Sequence, residues 1–200
     1  MNLNDIVNLI SSTSVILVSI VGVWGIKKWR KEIRFKRKFE LAEEILINAY
    51  EAVDVIGVIR FPASRTDEGQ TRELKDDETP EQTRTLNNLY VIKERFLKNN
   101  DSFKKLFSIR YNVKAVMGKE FEENLNVILK MPKKIFNIVD QYVDVHLNSE
   151  NYSNEERNRI GKEYSKTVFA DLTRKEEDPI YMKMKVAIEN LEKECVKILG

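Results

Sequence analysis

Residues 6–26 read IVNLISSTSVILVSIVGVWGI and contain no charged side chain. As an α-helix rising about 1.5 Å per residue, this stretch would be roughly 30 Å long, which is the thickness of a bilayer core. The next segment, KKWRKEIRFKRK at 27–38, holds eight basic residues and one acid, Glu32. We therefore predict a transmembrane helix within residues 1–26 and a basic juxtamembrane segment at 27–38. A buried core helix is the alternative, and the basic flank argues against it.

The basic segment also predicts the orientation of the protein in the membrane. Basic residues next to a span stay on the cytoplasmic side, so the N-terminus should lie outside and the following domain in the cytoplasm, at a bacterial inner membrane. The stretch lacks the basic start and small-residue end of a cleaved signal peptide. Besides setting topology, the basic side chains could form a collar that binds anionic lipid. They are Lys27, Lys28, Arg30, Lys31, Arg34, Lys36, Arg37 and Lys38.

One side of the predicted span is small and polar. At about 100° per residue, five such residues fall within roughly 100° of one another. They are Asn8, Ser11, Ser12, Ser19 and Gly22. Such a stripe in a membrane helix usually contacts protein or water, which predicts a homo-oligomer contact or a pore lining. The alternative is that the hydroxyl groups bond back to their own helix and the stripe has no partner.

Residues 39–200 predict a cytosolic helical bundle. Apolar residues recur every three or four positions from Phe39 to Ile56, so the first helix should continue to about Phe61-Pro62. The polar segment 62–78 has no periodicity and predicts a mobile loop. No strand pattern or repeat is present. The expected fold class is all-α, with one N-terminal transmembrane helix that continues into a bundle of about five to six helices.

Start and stop signals place the later helices. Thr79-Pro80-Glu81-Gln82 predicts a capped start, and Gly118 predicts a stop after a helix from about Ser102 to Met117. The next helix should reach about Leu147, with Pro132 kinking or splitting it. Ser153 or Asn154 should cap a helix through about Leu172. Asp178-Pro179 should open the last one.

The chain carries no catalytic motif. His146, the single histidine, continues an apolar stripe and is expected to be a packed, hydrogen-bonded residue. Cys195, the single cysteine, lies on the predicted inner face of the last helix and excludes an intramolecular disulfide. The glycines form no phosphate-binding loop. We predict no enzymatic activity, no catalytic residue, no metal site and no cofactor.

Two arginines fall on apolar helix faces. Arg60 shares its face with Ala49 and Val53, and Arg110 shares its face with Leu106 and Phe107. A buried arginine needs a partner because an unpaired buried charge costs several kcal/mol. One interpretation is an ion pair with an acid of the bundle, such as Glu43, Glu44 or Asp54. The other is a binding site for an anion, RNA phosphate or a partner near the 62–78 loop.

Several short stretches carry a resemblance to small bacterial proteins with one N-terminal membrane helix and a helical cytosolic domain. They are Trp29-Arg30-Lys31, the run 38–46, Tyr50-Glu51-Ala52, Ile59-Arg60-Phe61-Pro62, Asp67-Glu68-Gly69 and Arg110-Tyr111. The group resembled includes the membrane accessory protein of type VI-B CRISPR systems. The resemblance implies an oligomeric membrane pore that supports an RNA-guided nuclease system in antiviral defence. The closely spaced Arg and His of HEPN-type ribonucleases are absent, because Val139, Asp140 and Gln141 occupy the positions that such an arginine would need before His146.

Two hypotheses follow. The first is a membrane-anchored, oligomeric helical protein that perforates or perturbs the membrane as an accessory in bacterial antiviral defence. The second is a membrane-tethered adaptor whose bundle binds a cytosolic protein or RNA, with the span serving only as an anchor. The net charge of +2 does not indicate a general nucleic-acid-binding surface, so direct nucleic-acid binding stays open.

Overall fold

The first helix, with 57 residues, is much longer than any other described helix. A computed structural model describes residues 3–171, 173 and 175–199, of which the side chains of residues 3–12 and of Lys175 lie outside the description. Helix α1 runs without interruption over Leu3–Ile59. This confirms the prediction that the apolar stretch and the basic segment continue as one helix into the bundle.

Five further helices pack beside the C-terminal part of α1. They are α2 (Pro80–Asn99), α3 (Asp101–Met117), α4 (Lys119–Leu147), α5 (Asn154–Val168) and α6 (Pro179–Leu199). Short 3-10 turns lie at Ser149–Asn151 and Lys175–Glu177. Within the described ranges every regular element is helical, which confirms the all-α prediction. The bundle of five to six helices is also confirmed.

Local capping chemistry sets most helix ends as expected. The Thr79 side chain accepts a hydrogen bond from the Gln82 amide, and the Gln82 side-chain oxygen accepts one from the Thr79 amide. Ser153 forms the same box with Glu156. Gly118 ends α3 with a φ of 103°, a value that favours glycine.

Two predicted features of the helices need correction. Of the kink or split predicted at Pro132, the split does not occur, because α4 is continuous from Lys119 to Leu147 and Pro132 is buried inside it. The fifth helix stops at Val168 and not near Leu172, because Phe169 is extended. The carbonyl groups at this earlier end accept hydrogen bonds from Arg60, which replace the bonds of a further turn.

The core fills the space between α1, α3, α4 and α6. The side chains that are fully buried come from all four helices and include Ile45, Leu106, Leu125, Ile135 and Leu191. On α1 the core begins only at Leu41, and every described residue from 13 to 40 is exposed. The long first helix therefore has one part inside the bundle and one part outside it.

The described part of the chain contains no helix that is both long enough and apolar enough to cross a bilayer. The transmembrane helix predicted for residues 6–26 is therefore not supported by the described residues. Its first positions, 6–12, lie outside the described side chains.

Candidate functional site

The projecting part of α1 exposes apolar side chains in all directions. Between residues 15 and 26 the large apolar side chains are 53% to 71% exposed, Ile26 being the least and Val18 the most exposed. Exposed apolar surface of this extent marks a contact with a membrane or another protein. Because exposed apolar side chains lie on every side of the helix, no single groove on a neighbouring helix could cover them all.

The basic segment continues this projection. All eight of its lysines and arginines are exposed. Lys28 lies over the Trp24 ring, with Nζ 5.9 Å from the ring centroid, and Arg34 Nε donates to the Arg30 carbonyl at 3.2 Å. Lys36 Nζ lies 3.8 Å from Glu40. The remaining basic side chains are free to bind anions outside the chain.

Helix geometry groups six of the basic residues on one side of α1. At about 100° per residue they span roughly 120°. They are Lys27, Arg30, Lys31, Arg34, Arg37 and Lys38. This sector is in register with the bundle-facing residues Leu41 and Ala42, while the exposed Trp29 and Ile33 occupy the opposite side. The segment is thus amphipathic only in part: six of its basic residues lie on the bundle side, and Lys28 and Lys36 lie on the other side with Trp29.

The predicted polar stripe is described only in part. Asn8, Ser11 and Ser12 lie outside the described side chains. Ser19 Oγ donates to the Val15 carbonyl at 2.8 Å, which is the bond back to its own helix that the alternative interpretation expected. Gly22 is exposed, and a Cβ atom placed on it would meet no neighbour within 4 Å. The surface at Gly22 is therefore open to close approach.

Arg60 joins the ends of three helices. Its side chain is 3% exposed, and Nη2 lies 2.9 Å from the Asp178 carboxylate. Its guanidinium also donates to the carbonyls of Thr167 at 2.8 Å, Phe169 at 3.1 Å and Lys166 at 3.2 Å. An ion pair was one of the two interpretations of Arg60. The partner is none of the acids named for it, Glu43, Glu44 and Asp54. It is Asp178, which is distant from Arg60 in the sequence.

Arg110 lies in a different environment. Its guanidinium carbon is 4.8 Å from the Phe107 ring centroid and 4.6 Å from that of Tyr111, and Nη2 donates to the Tyr111 hydroxyl at 2.7 Å. Its buried Nε has no hydrogen-bond partner among the described residues. Phe107 and Tyr111 are 58% and 65% exposed. The structure therefore does not bring Arg110 together with Arg60, whose contacts all lie at residues 166–178.

A second buried arginine, which sequence reasoning missed, holds the polar segment after α1. Arg95 donates to the carbonyls of Phe61 at 2.7 Å and Ala63 at 2.6 Å. It also pairs with the Glu68 carboxylate at 2.6 Å, and this hydrogen bond keeps the pKa of Glu68 below its usual value. The predicted mobile loop at 62–78 is thus tied to α2. The sequence signal was available, because Arg95 follows the buried Val91 and Ile92 at helical spacing.

The middle of the same segment is held by a glycine and a carboxylate. Gly69 has a φ of +83°, and a Cβ there would lie 2.0 Å from the Asn87 carbonyl oxygen. The Gly69 amide donates to the buried Glu94 carboxylate, which Lys98 also contacts at 2.7 Å. The hydrogen bond with Lys98 is the main reason that the pKa of Glu94 lies below its usual value. Only glycine fits this close approach.

His146 and Cys195 are the two remaining candidate residues. His146 was expected to be packed, but it is exposed near the C-terminal end of α4, because the neighbouring Val145 is the residue that faces the core there. Cys195 is fully buried, donates to the Ala42 carbonyl at 3.7 Å, and has its pKa raised to about 12, chiefly by burial. It is therefore a small core residue. No group of His, Cys, Asp and Glu able to hold a metal occurs within the described ranges.

Comparison with known proteins adds no relative. No protein family, no curated protein and no solved structure matches this chain. The projecting part of α1 is accordingly the candidate functional site on its own physical features: apolar exposure on all sides, an amphipathic basic segment, and no partner in the bundle.

Proposed function

We propose that the protein is a membrane-anchored helical protein that self-associates and perturbs or perforates the bacterial inner membrane as an accessory in antiviral defence. One observation carries this proposal. α1 holds residues 13–26 outside the bundle with their apolar side chains exposed on all sides. Because each Å² of apolar surface removed from water contributes about 25 cal/mol, covering these side chains with lipid strongly favours membrane association.

The basic segment supports one orientation. Its lysines and arginines follow the apolar residues directly, so they would lie at the cytoplasmic surface, with the N-terminus outside and the bundle inside the cell. Each lysine or arginine near an anionic surface adds about 1 kcal/mol of attraction. The amphipathic arrangement allows Trp29 and Ile33 to contact apolar material while the basic side binds headgroups.

The defence role and the link to an RNA-guided nuclease rest on the resemblance described above. That resemblance also supports self-association through the N-terminal helix. In this proposal Asn8, Ser11, Ser12, Ser19 and Gly22 form the contact between neighbouring copies or line an opening. The proposal includes no catalytic step and no cofactor.

A second candidate function is a tethered adaptor, which the exposed cluster of Phe107, Arg110 and Tyr111 favours. Aromatic and arginine side chains carry much of the binding energy at protein interfaces, and they also stack on the bases of single-stranded RNA. In this case the span would act only as an anchor. Residues 107–111 would then contact the cytosolic protein or RNA.

The two functions differ in what the span must do. The test variant replaces Ser19 and Gly22 with Leu, together with the three polar stripe residues before them. The control variant replaces Ile16, Ile20 and Val23 with Leu. Both should insert in the membrane, since leucine favours insertion. For a pore, only the stripe variant should stop the uptake of a membrane-impermeant dye by bacteria that express the protein, and detergent-solubilised wild type should run as an oligomer.

The opposite results would support the adaptor. A monomer in detergent, whose antiviral activity survives exchange of residues 6–26 for an unrelated span, would contradict the pore. In that case Arg110→Ala should abolish activity while the variant still folds and reaches the membrane. Circular dichroism and membrane fractionation of Arg110→Ala would check both conditions.

A further inference from the structure

α1 has a second exposed surface, on the side that faces away from the bundle. At helical spacing it presents four acids together with two apolar residues. We name it the acidic face: Glu43, Glu44, Ile47, Glu51, Asp54 and Val58. Ile47 and Val58 are 52% and 48% exposed. None of the four acids has a basic partner within the described part of the chain, so this face combines unpaired negative charge with uncovered apolar surface.

A groove of opposite charge lies between α4 and α6. Its volume is about 570 Å³, with apolar side chains in its floor and lysines around it. We name it the lysine groove: Val127, Lys130, Met131, Lys134, Lys183 and Val186. Val127 and Val186 are 37% and 50% exposed. Its three lysines have no acidic partner among the residues that the structure describes.

The two surfaces match in chemistry and cannot meet within one chain. The acidic face is on α1 and points out of the bundle, while the lysine groove lies on other helices. We propose that the acidic face of one copy docks into the lysine groove of a second copy. In this arrangement Ile47 and Val58 cover the valines of the groove, and the acids surround them with partners for the lysines. Complementary charge of this kind selects the partner and the register.

The two surfaces also lie at the same level along α1. Tyr50 hydrogen-bonds to Glu192 at 2.5 Å, and Arg60 pairs with Asp178, so α6 runs antiparallel to α1. Val186 is in α6 and lies between Asp178 and Glu192 in the sequence. It is therefore level with the part of α1 between Tyr50 and Arg60, where Asp54 and Val58 belong. Docking requires no shift of one copy along the helix axis.

The contact joins two different surfaces, so it is head-to-tail and can continue from copy to copy. Rotation about an axis parallel to α1 would keep every N-terminal helix on the same side of the assembly. This inference rests on the proposed function for the purpose of that assembly, a ring of membrane helices. It deepens the proposal by naming the surfaces that join the copies.

Cross-linking in membranes tests the contact with the full chain. Val58→Cys combined with Val186→Cys should form disulfides between copies on oxidation, seen as dimer, trimer and larger bands on a non-reducing gel. Native Cys195 is fully buried and can stay. The matched control is Val58→Cys with Leu97→Cys, since Leu97 is 60% exposed on α2, away from the groove. Bands that stop at monomer or dimer, or equal bands in the control, would overturn the proposal.

Charge exchange provides an independent check on the same cysteine background. Glu51→Lys with Asp54→Lys should reduce the larger bands at least tenfold, and so should Lys130→Glu with Lys134→Glu. Combining all four changes should restore the bands, because the charges are again opposite. Restoration supports the proposal. Failure to restore the larger bands contradicts the proposal. Unchanged larger bands in either charge variant also contradict it, because the lysine groove would then bind something other than the acidic face.

The outcome is separable from that of the proposed function. If dye uptake persists while the 58–186 cross-linked bands are absent, the docking contact is wrong and the pore stands. If these bands form in a protein that causes no dye uptake, the contact stands and the pore is wrong.

Discussion

Arg60 shows what a single buried charge does in this bundle. Its guanidinium donates to three carbonyl groups that the end of α5 leaves without a helical partner. It also pairs with the Asp178 carboxylate at the start of α6. Asp178 in turn accepts hydrogen bonds from the amides of Ile180 and Tyr181. The pair thus fastens the end of α1 to two later helices, and each member needs the other because both are desolvated.

Loss of the Asp178 charge should destabilise the bundle in a pH-dependent way. Burial acts to raise the pKa of Asp178, but hydrogen bonds from Arg60 and from backbone amides outweigh it and keep this pKa below 3.8. A carboxylate with a lowered pKa stabilises the fold fully above its unfolded pKa, and this contribution is lost as the pH falls through the folded pKa. Asp178→Asn should therefore cost about 3–5 kcal/mol of unfolding free energy at neutral pH. The cost should shrink below about pH 4.

Denaturant unfolding of the full chain in detergent between pH 7 and pH 2 would measure this difference. Asp76→Asn is the control, since Asp76 is an exposed aspartate in the segment between α1 and α2. The prediction fails if Asp178→Asn keeps the wild-type stability at neutral pH, or if its deficit is the same at every pH.

At the level of elements, the segment between α1 and α2 differs most from its sequence-based expectation. Its composition indicated a mobile loop at 62–78, yet buried groups of α2 hold it at both Ala63 and Gly69. Arg72 adds a third tie through the Glu78 carboxylate and the Asn87 side chain. The segment is therefore part of the bundle surface and not a free linker.

Removing Arg95 should free this segment without unfolding the helices. In Arg95→Ala the carbonyls of Phe61 and Ala63 and the Glu68 carboxylate lose their common donor. Backbone amides at 63–72 should then exchange with deuterium at least about tenfold faster, since their local opening free energy falls by about 1.4 kcal/mol or more. Trypsin should also cut faster after Arg65.

The control for this change is Arg84→Ala, because Arg84 is an exposed arginine on the same helix. It should leave both exchange and cleavage at wild-type rates. Equal protection of residues 63–72 in Arg95→Ala and wild type would show that the other ties are sufficient, contrary to the prediction.

For the whole molecule, the main feature is that α1 belongs to two environments. Its C-terminal part supplies core residues from Leu41 onward, while residues 13–40 are all exposed. Folding of the bundle and the contacts of the projecting part should thus be separable. This separation allows the projecting part to contact a membrane without disturbing the core.

Deletion of residues 1–40 should leave the stability of the bundle almost unchanged. All described side chains of the deleted part, from residue 13 to 40, are exposed, so the unfolding free energy in one detergent buffer should stay within about 0.5 kcal/mol of the full chain. The deleted protein should no longer sediment with membranes. Deletion of residues 1–48 is the control, because it removes the buried Leu41, Ala42 and Ile45 and should cost several kcal/mol. A large loss of stability in the shorter deletion would contradict the division of α1.

Local signals explain how much of the fold the sequence predicts. The capping boxes at Thr79 and Ser153 and the stop at Gly118 depend on neighbours within a few residues, so they are legible in the chain itself. Core positions such as Ala49, Ile56 and Leu191 follow from helical periodicity. The exposed projection can also be predicted from the sequence, because an uncharged, mainly apolar run next to a basic segment places apolar side chains on every side of a helix.

Interactions between distant residues could not be predicted. Arg60 was recognised as an arginine that needs a partner, but the partner, Asp178, comes from the other end of the chain. Arg95 was not recognised, and His146 was placed in a core that ends before it.

By itself, the sequence determines the helices, their ends and the apolar, basic character of the N-terminal part, because these depend on neighbours in the chain. Tertiary structure decides which buried charges pair and how the 62–78 segment is held. It also places the acidic face and the lysine groove at the same level on different helices of the bundle. These outcomes depend on how helices pack, since packing alone brings residues such as Arg60 and Asp178 within 2.9 Å.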